Sequence, residues 1–338
     1  MTTLWYSYSL RPDLTLDSPE PLQAPYTISW HYGRYLRQQA QALGWDFRYV
    51  NLDDTQGYTI GAEDIVIGHP WFTDENTFIQ QAFRQSARLK LIVQPFTTLM
   101  VGDEALPTLH HLWDTANHLF LITGEYWWDL MDSSDYARYK AKATRLDNIV
   151  NPVLHPHSKT QWHKEGKRAA LAIGYGGYGA EIKGIDKVAE LARIAGFKVV
   201  HLGTLKKPLF EHVPQAHTGT GMEFTPDNIA WVCNEVDFFI SMGRYDANPT
   251  TLLETACWGL LPCCTPTSGY YPDEPFIGLS LEDIGHNLDM LQWIQYAPAA
   301  ELADCAAEIR ERVIAQHNPL LQCATLWQKI EDLLNDLP

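Results

Sequence analysis

The 338-residue sequence predicts an α/β protein built as two parallel-sheet domains. Three observations carry this. Short apolar runs alternate with helical stretches up to residue 124, a polar proline-bearing stretch interrupts the pattern at 151–167, and the alternation then begins again. Such alternation is the signature of strands joined by crossover helices. A chain of this length also exceeds what one small core usually organises.

In the first half, "LWYSYSL" (4–10) reads as the first strand and "YGRYLRQQAQALG" (32–44) as a helix closed by Gly44. "DFRYVNL" (46–52) and "EDIVIGHPW" (63–71) are strands, the second with an Ile-Val-Ile run fit for burial. "DENTFIQQAFRQSA" (74–87) opens on Asp74, a residue type that accepts hydrogen bonds from first-turn amides, and predicts a helix. "KLIVQPF" (90–96) and "HLFLITG" (118–124) are strand-like, with "LPTLHHLWDTA" (106–116) between them. The stretch 151–167 holds two prolines, is polar and lacks periodicity, which predicts a linker.

The second half restarts with "RAALAIGYGG" (168–177), a strand entering a glycine-rich loop. "IDKVAELARIAG" (185–196) is a helix closed by Gly196, and "FKVVHLG" (197–203) the next strand. "TPDNIAWVCNEV" (225–236) has Thr225 and Pro226 in the order that starts a helix. "DFFISMG" (237–243) and "LLPCCTP" (260–266) are strands flanking the helix "PTTLLETACWG". "AAELADCAAEIRERVIAQH" (299–317) is helical, and a last helix lies in "LLQCATLWQKIEDLL" (320–334). The predicted division is a first domain over 1–152, a second over 153–317, and a C-terminal helix in 318–338 that packs back on the first domain.

Composition excludes several function classes. Net charge is −16, with 11 basic and 18 acidic residues in 1–155 and 14 and 23 in the rest, so neither half offers a basic face to nucleic acid or anionic lipid. No run of 18 apolar residues exists, and the start lacks the basic and apolar regions of a signal peptide. A cytoplasmic protein without an integral membrane segment is expected. The six cysteines all follow residue 232, form no Cys-x-x-Cys pair and read as reduced core thiols. The histidine pairs at 110–111 and 155–157 lack metal-site spacing, so no metal is expected.

Three stretches carry candidate chemistry. In "RYDANPTTLLETACWG" (244–259), Asn248 and Pro249 mark a helix start, with Pro249 at the first helical position. The N–H groups of Thr250 and Thr251 then lack intrahelical acceptors and, with the helix dipole, suit a diphosphate. Glu254, one turn in, could accept hydrogen bonds from two vicinal ribose hydroxyls, and Asp246 could reach a further sugar. Spacing alone also fits favourable helix electrostatics with a solvated Glu254. In "IGYGGYGAEIKGID" (173–186), glycines including Gly176 and Gly177 allow close approach to a phosphate, and Lys183 supplies a point charge. A plain tight turn fits equally. His69 ends an apolar strand, where ligands meet open α/β sheets, although a structural histidine fits there too.

Together these stretches resemble the family 4 glycosyltransferases, which have the GT-B fold of two Rossmann-like domains facing each other across a cleft. "DANPTTLLETA" keeps that family's two acids eight positions apart and its proline. "VDFFIS", "CWGLLPCCTPTSGY", "KGIDKVAEL" and "NIVNPV" extend the resemblance over most of 149–270. It implies transfer of a sugar from a nucleotide-diphosphate sugar to an acceptor hydroxyl, with retention, without metal and without a further cofactor. It assigns Glu254 to the ribose, Asp246 and His69 to the donor sugar, the amides of Thr250 and Thr251 to the diphosphate, and Lys183 to the leaving phosphate. The acceptor (saccharide, glycan, lipid head group or protein) is not specified. The first acid is Asp246 where the family usually has Glu, and Tyr178 stands where it often has Arg, with Arg244 the nearby substitute cation. A nucleotide-sugar epimerase of the same fold, or a weakly catalytic homologue acting as a partner subunit, fits the same motifs.

Overall fold

The computed structural model describes residues 2–22, 26–70, 77–98, 105–173, 182–203, 224–271 and 275–337. Up to residue 146 the elements are β1 (Thr3–Tyr8), α1 (Tyr26–Ala42), β2 (Asp46–Asn51), β3 (Ile65–Gly68), α2 (Phe78–Phe83), β4 (Leu89–Pro95), α3 (Leu106–Thr115), β5 (His118–Ile122), α4 (Glu125–Leu130) and β6 (Ala143–Leu146). The six strands form one parallel sheet in the order β2-β1-β3-β4-β5-β6. β3 and β5 are buried along their whole length. Strands covered on both faces read as continuous apolar runs, which is why both were visible in the sequence.

The second run comprises β7 (Ala169–Ile173), α5 (Ile185–Ala195), β8 (Lys198–Leu202), α6 (Pro226–Glu235), β9 (Phe238–Ser241), α7 (Thr250–Trp258), β10 (Leu261–Cys264), β11 (Ile277–Gly278), α8 (Ile284–Tyr296) and α9 (Ala299–Gln316). Its parallel sheet has the order β11-β10-β9-β7-β8. Helix α10 (Pro319–Asn335) closes the chain. Two compact units result. One holds Met1–Thr123, Trp128–Asn148 and Pro319–Pro338; the other holds Gly124–Trp127 and Ile149–Asn318. Within the first, α10 sets Trp327 beside Trp45, with ring centroids 6.2 Å apart, and Gln322 accepts the Asp147 N–H at 3.1 Å.

Several boundaries differ from the sequence expectation. Helix α1 starts six residues earlier, at Tyr26, because Thr27, Ile28 and Ser29 already bury a face. Helix α2 spans only Phe78–Phe83, with Thr77 extended before it. The expected cap, Asp74, lies outside the described residues. Helix α8 had no clear sequence signal; Asp283 starts it by accepting the His286 N–H at 2.9 Å. Strands β6 and β11 are too short to show periodicity.

The stretch read as a linker has no regular element over 151–167, yet it is fastened to the second unit. Lys159 Nζ donates to the Cys233 and Val236 carbonyls at the end of α6, at 2.9 and 2.7 Å, and pairs with Asp237 at 3.0 Å. Asp237 also accepts the His163 backbone N–H (2.9 Å) and the Ala169 N–H (3.2 Å).

Both strand orders place a topological switch point at the carboxyl ends of their strands. In the first sheet the chain leaves β1 for β2 on one side and β3 on the other, and in the second it leaves β7 for β8 on one side and β9 on the other. Open α/β sheets bind ligands at such points. The loops there carry His69 in the first unit, and Lys183 and residues 242–249 in the second.

Candidate functional site

In the second unit, the loops after β7 and β9 meet. Gly184 has φ +62°, and a Cβ there would lie 1.8 Å from the Met242 carbonyl oxygen, so only glycine fits. The Ile182 carbonyl accepts the Arg244 N–H at 2.9 Å. These contacts bring Lys183 Nζ onto Asp246 Oδ2 in an ion pair, with the lysine side chain 39% exposed and the aspartate 13%. The two residues that the resemblance assigns to the leaving phosphate and the donor sugar therefore neutralise each other.

The loop that carries Asp246 is held from below. Thr265 and Thr267 donate their hydroxyls to the Gly243 carbonyl, and the Asp246 N–H donates to Thr267 O at 3.0 Å. The Trp127 indole N–H donates to Asp246 O at 2.8 Å. Gly269 has φ +100°, and a Cβ there would meet Ala247 O at 2.4 Å. Arg244, the expected substitute cation, turns instead to Asp186 in a two-bond pair at 2.9 and 2.7 Å. That guanidinium holds the Asp186 carboxyl below the usual carboxylate range.

Helix α7 begins at Thr250, so Pro249 is its cap and not its first helical residue, and no side chain caps it. Asn248 is buried and accepts the Tyr270 hydroxyl, which removes it from the capping role its type suggested. Thr250 and Thr251 are half-buried and form the first turn of the helix. Gly176, Gly177 and Tyr178 lie outside the described residues.

Glu254 is buried, 5% exposed, which overturns the solvated alternative. Burial pushes its carboxyl up to about 8, so it holds its proton at neutral pH. Beside it, His155 Nε2 stands 3.8 Å from Glu254 Oε1, and Trp258 Nε1 donates to His155 Nδ1 at 3.2 Å. Sequence reasoning does not reach His155 and Trp258: the His-Pro-His at 155–157 shows only a lack of metal-site spacing. Trp127 was missed because it is remote in sequence from the loop it supports.

The raised Glu254 carboxyl has a measurable consequence. The unfolded chain loses this proton near the ordinary value of 4.5 and the folded chain near 8. Between those values the folded state binds more protons, so stability falls as pH rises, by at most about 1.4 kcal/mol per pH unit, and levels off above 8. Glu254→Gln is expected to remove that slope. Urea midpoints of the two proteins should coincide near pH 4.5 and diverge in the variant's favour toward pH 8; parallel curves would show that the carboxyl is not held protonated.

In the first unit, His69 lies just past β3, its N–H donating to Ser7 O at 2.9 Å. The ring packs edge-on against Tyr8 (centroids 5.2 Å apart) and its Nδ1 faces Pro70 O at 2.7 Å. Burial lowers its pKa to about 4, partly opposed by that hydrogen bond, so the imidazole is neutral at neutral pH. Among the described residues, no group of three His, Cys, Asp or Glu side chains is placed to hold a metal ion, and no helix is long and apolar enough to cross a membrane. The cysteines are free, five of them buried and Cys305 partly exposed.

No family model matches the chain, and no curated protein does. Solved structures do. Sucrose-phosphate synthase of Thermosynechococcus elongatus is similar with a TM-score of 0.68 at 11% identity, over 99% of this chain and 100% of that one. HepE of Anabaena is similar with a TM-score of 0.59 at 6% identity, over 98% and 100%. TarM of S. aureus is similar with a TM-score of 0.57 at 14% identity, over 82% of this chain and 57% of that one, so the chain spans little more than half of TarM. Identities this low speak to the fold alone. Two parallel α/β units, each with its switch point at the strands' carboxyl ends, and these neighbours together make this the fold of the GT-B glycosyltransferases.

Proposed function

We propose that the chain is a glycosyltransferase that moves a sugar from a nucleoside-diphosphate sugar to an acceptor hydroxyl, with retention and without a metal. The observation that supports this reading is the Lys183–Asp246 ion pair where the loops after β7 and β9 meet, followed in sequence by the start of α7 and the buried Glu254. A diphosphate needs fixed N–H donors and a cation, and a ribose diol needs a carboxyl; all three chemistries sit on two adjoining loops and one helix turn. In the reaction, the bond between the anomeric carbon and the diphosphate oxygen breaks and its electrons leave with the diphosphate. The Thr250 and Thr251 amides and Lys183 stabilise that charge. The acceptor hydroxyl bonds to the anomeric carbon on the same face, and its proton passes to the departing phosphate oxygen. HepE was solved with UDP and glucose, and a TarM variant with UDP, which makes UDP the first donor base to try.

The test is a thermal-shift series with UDP, GDP and ADP, followed by turnover of the corresponding nucleotide sugars. A ligand that binds only the folded state at a hundred times its Kd stabilises by about 2.7 kcal/mol. Turnover should persist in EDTA. Loss of turnover on chelation, restored by Mg²⁺ or Mn²⁺, would refute the metal-free mechanism.

The resemblance assigns His69 to the donor sugar and other residues to the diphosphate and ribose. His69→Ala should leave the thermal shift with nucleoside diphosphate nearly unchanged and lower transfer from the full nucleotide sugar about tenfold or more, as loss of a hydrogen bond worth more than 1 kcal/mol does. Weakened diphosphate binding in this variant would place His69 elsewhere in the mechanism.

A further inference from the structure

Glu254 and Trp258 stand four residues apart on one face of α7, and His155 spans the turn between them. The histidine comes from the irregular stretch ahead of β7, and that stretch is fixed in register. The Ser158 and Lys159 N–H groups both donate to Trp258 O at 2.9 Å, and Gly259, φ +90°, leaves room for His157, whose Nε2 would lie 2.5 Å from a Cβ there. Phe224 packs edge-on against Trp258 at 4.7 Å. An indole N–H only donates, so His155 Nδ1 accepts and the imidazole proton resides on Nε2. That Nε2–H looks at Glu254 Oε1 across 3.8 Å, with both side chains about 95% buried. The gap is longer than a hydrogen bond and too short to admit a water.

A protonated carboxyl presents one donor and one acceptor. Holding two ribose hydroxyls that both donate requires the carboxylate, and a buried carboxylate needs a further donor to offset its charge. Of the groups around it, the Cys257 thiol is pushed up to about 12 by burial and stays neutral, and Arg310 on α9 directs its Nε–H to Cys257 O at 3.0 Å. His155 faces the carboxyl directly. We infer that His155 is a positioning residue for the diol-binding carboxyl: locked in one tautomer by Trp258, it holds the Glu254 carboxylate toward two vicinal hydroxyls and makes the site select ribonucleoside over 2′-deoxyribonucleoside diphosphates. On binding, the Glu254 proton leaves to solvent. The inference rests on the assignment of Glu254 to the ribose.

The test is calorimetric binding of whichever of UDP, GDP and ADP gives the largest thermal shift, against its 2′-deoxy analogue, across neutral pH. Wild type should prefer the ribonucleotide about tenfold or more, as expected for a hydrogen bond to a charged group, and release a proton on binding. His155→Phe, close in volume but without a donor, should lose most of the preference and the pH dependence. His155→Gln, whose amide can accept from Trp258 and donate to Glu254, should keep both. Preference lost in Glu254→Gln but intact in His155→Phe overturns the role of His155 and leaves the ribose assignment standing. Equal loss in His155→Phe and His155→Gln with lowered stability makes His155 merely structural. Preference unchanged in Glu254→Gln, or no binding of any of the three diphosphates, refutes the ribose assignment and the inference with it.

Discussion

Replacing Lys183 by alanine is expected to slow glycosyl transfer about a hundredfold or more, the usual cost of deleting one charge-stabilising donor, while the fold survives. The lysine is 39% exposed, and a pair so placed contributes at most about 1 kcal/mol to stability. Asp246 does not depend on it for position, because Thr267 and Trp127 hold its backbone. Without the lysine, however, the Asp246 carboxylate would face the departing diphosphate unneutralised, so the loss should exceed that of a simple missing contact. Lys183→Arg should recover part of the rate by restoring charge. Unfolding midpoints measured beside turnover separate the two effects. Full turnover in Lys183→Ala would reduce Lys183 to a surface residue beside a glycine turn.

The largest stability effect is expected at Lys159, remote from the reacting groups. Its side chain is 1% exposed and that of Asp237 is not exposed at all. The same ammonium closes two carbonyls at the end of α6. Lys159→Met keeps the aliphatic length and removes the charge, leaving a buried carboxylate short of its cation; breaking a buried pair in this way costs about 3–5 kcal/mol. Lys198→Met is the control. Its partner Glu235 lies 3.5 Å away, both side chains are over 40% exposed, and the expected cost is under about 1 kcal/mol. Urea denaturation of both variants checks the contrast. Equal costs would mean that the linker stretch is not anchored through Lys159.

The sequence by itself determined the alternation of strands and helices, because buried parallel strands such as β3 and β9 are unbroken apolar runs and Gly196 and Gly259 end helices in left-handed geometry. It also determined the spacing of Asp246 and Glu254, since both lie on one short loop and one helix turn. It could not show which charges meet. The pairing of Lys183 with Asp246 and of Arg244 with Asp186 joins residues 63 and 58 positions apart, and it exists only because Gly184 lets two loops from neighbouring strands touch. Nor could it show the ionisation of Glu254, because a carboxylate at a helix position is solvated or buried according to what packs over it. Here the tertiary structure alone decided that Glu254 is buried, that burial raises its carboxyl, and that the His155 ring stands beside it.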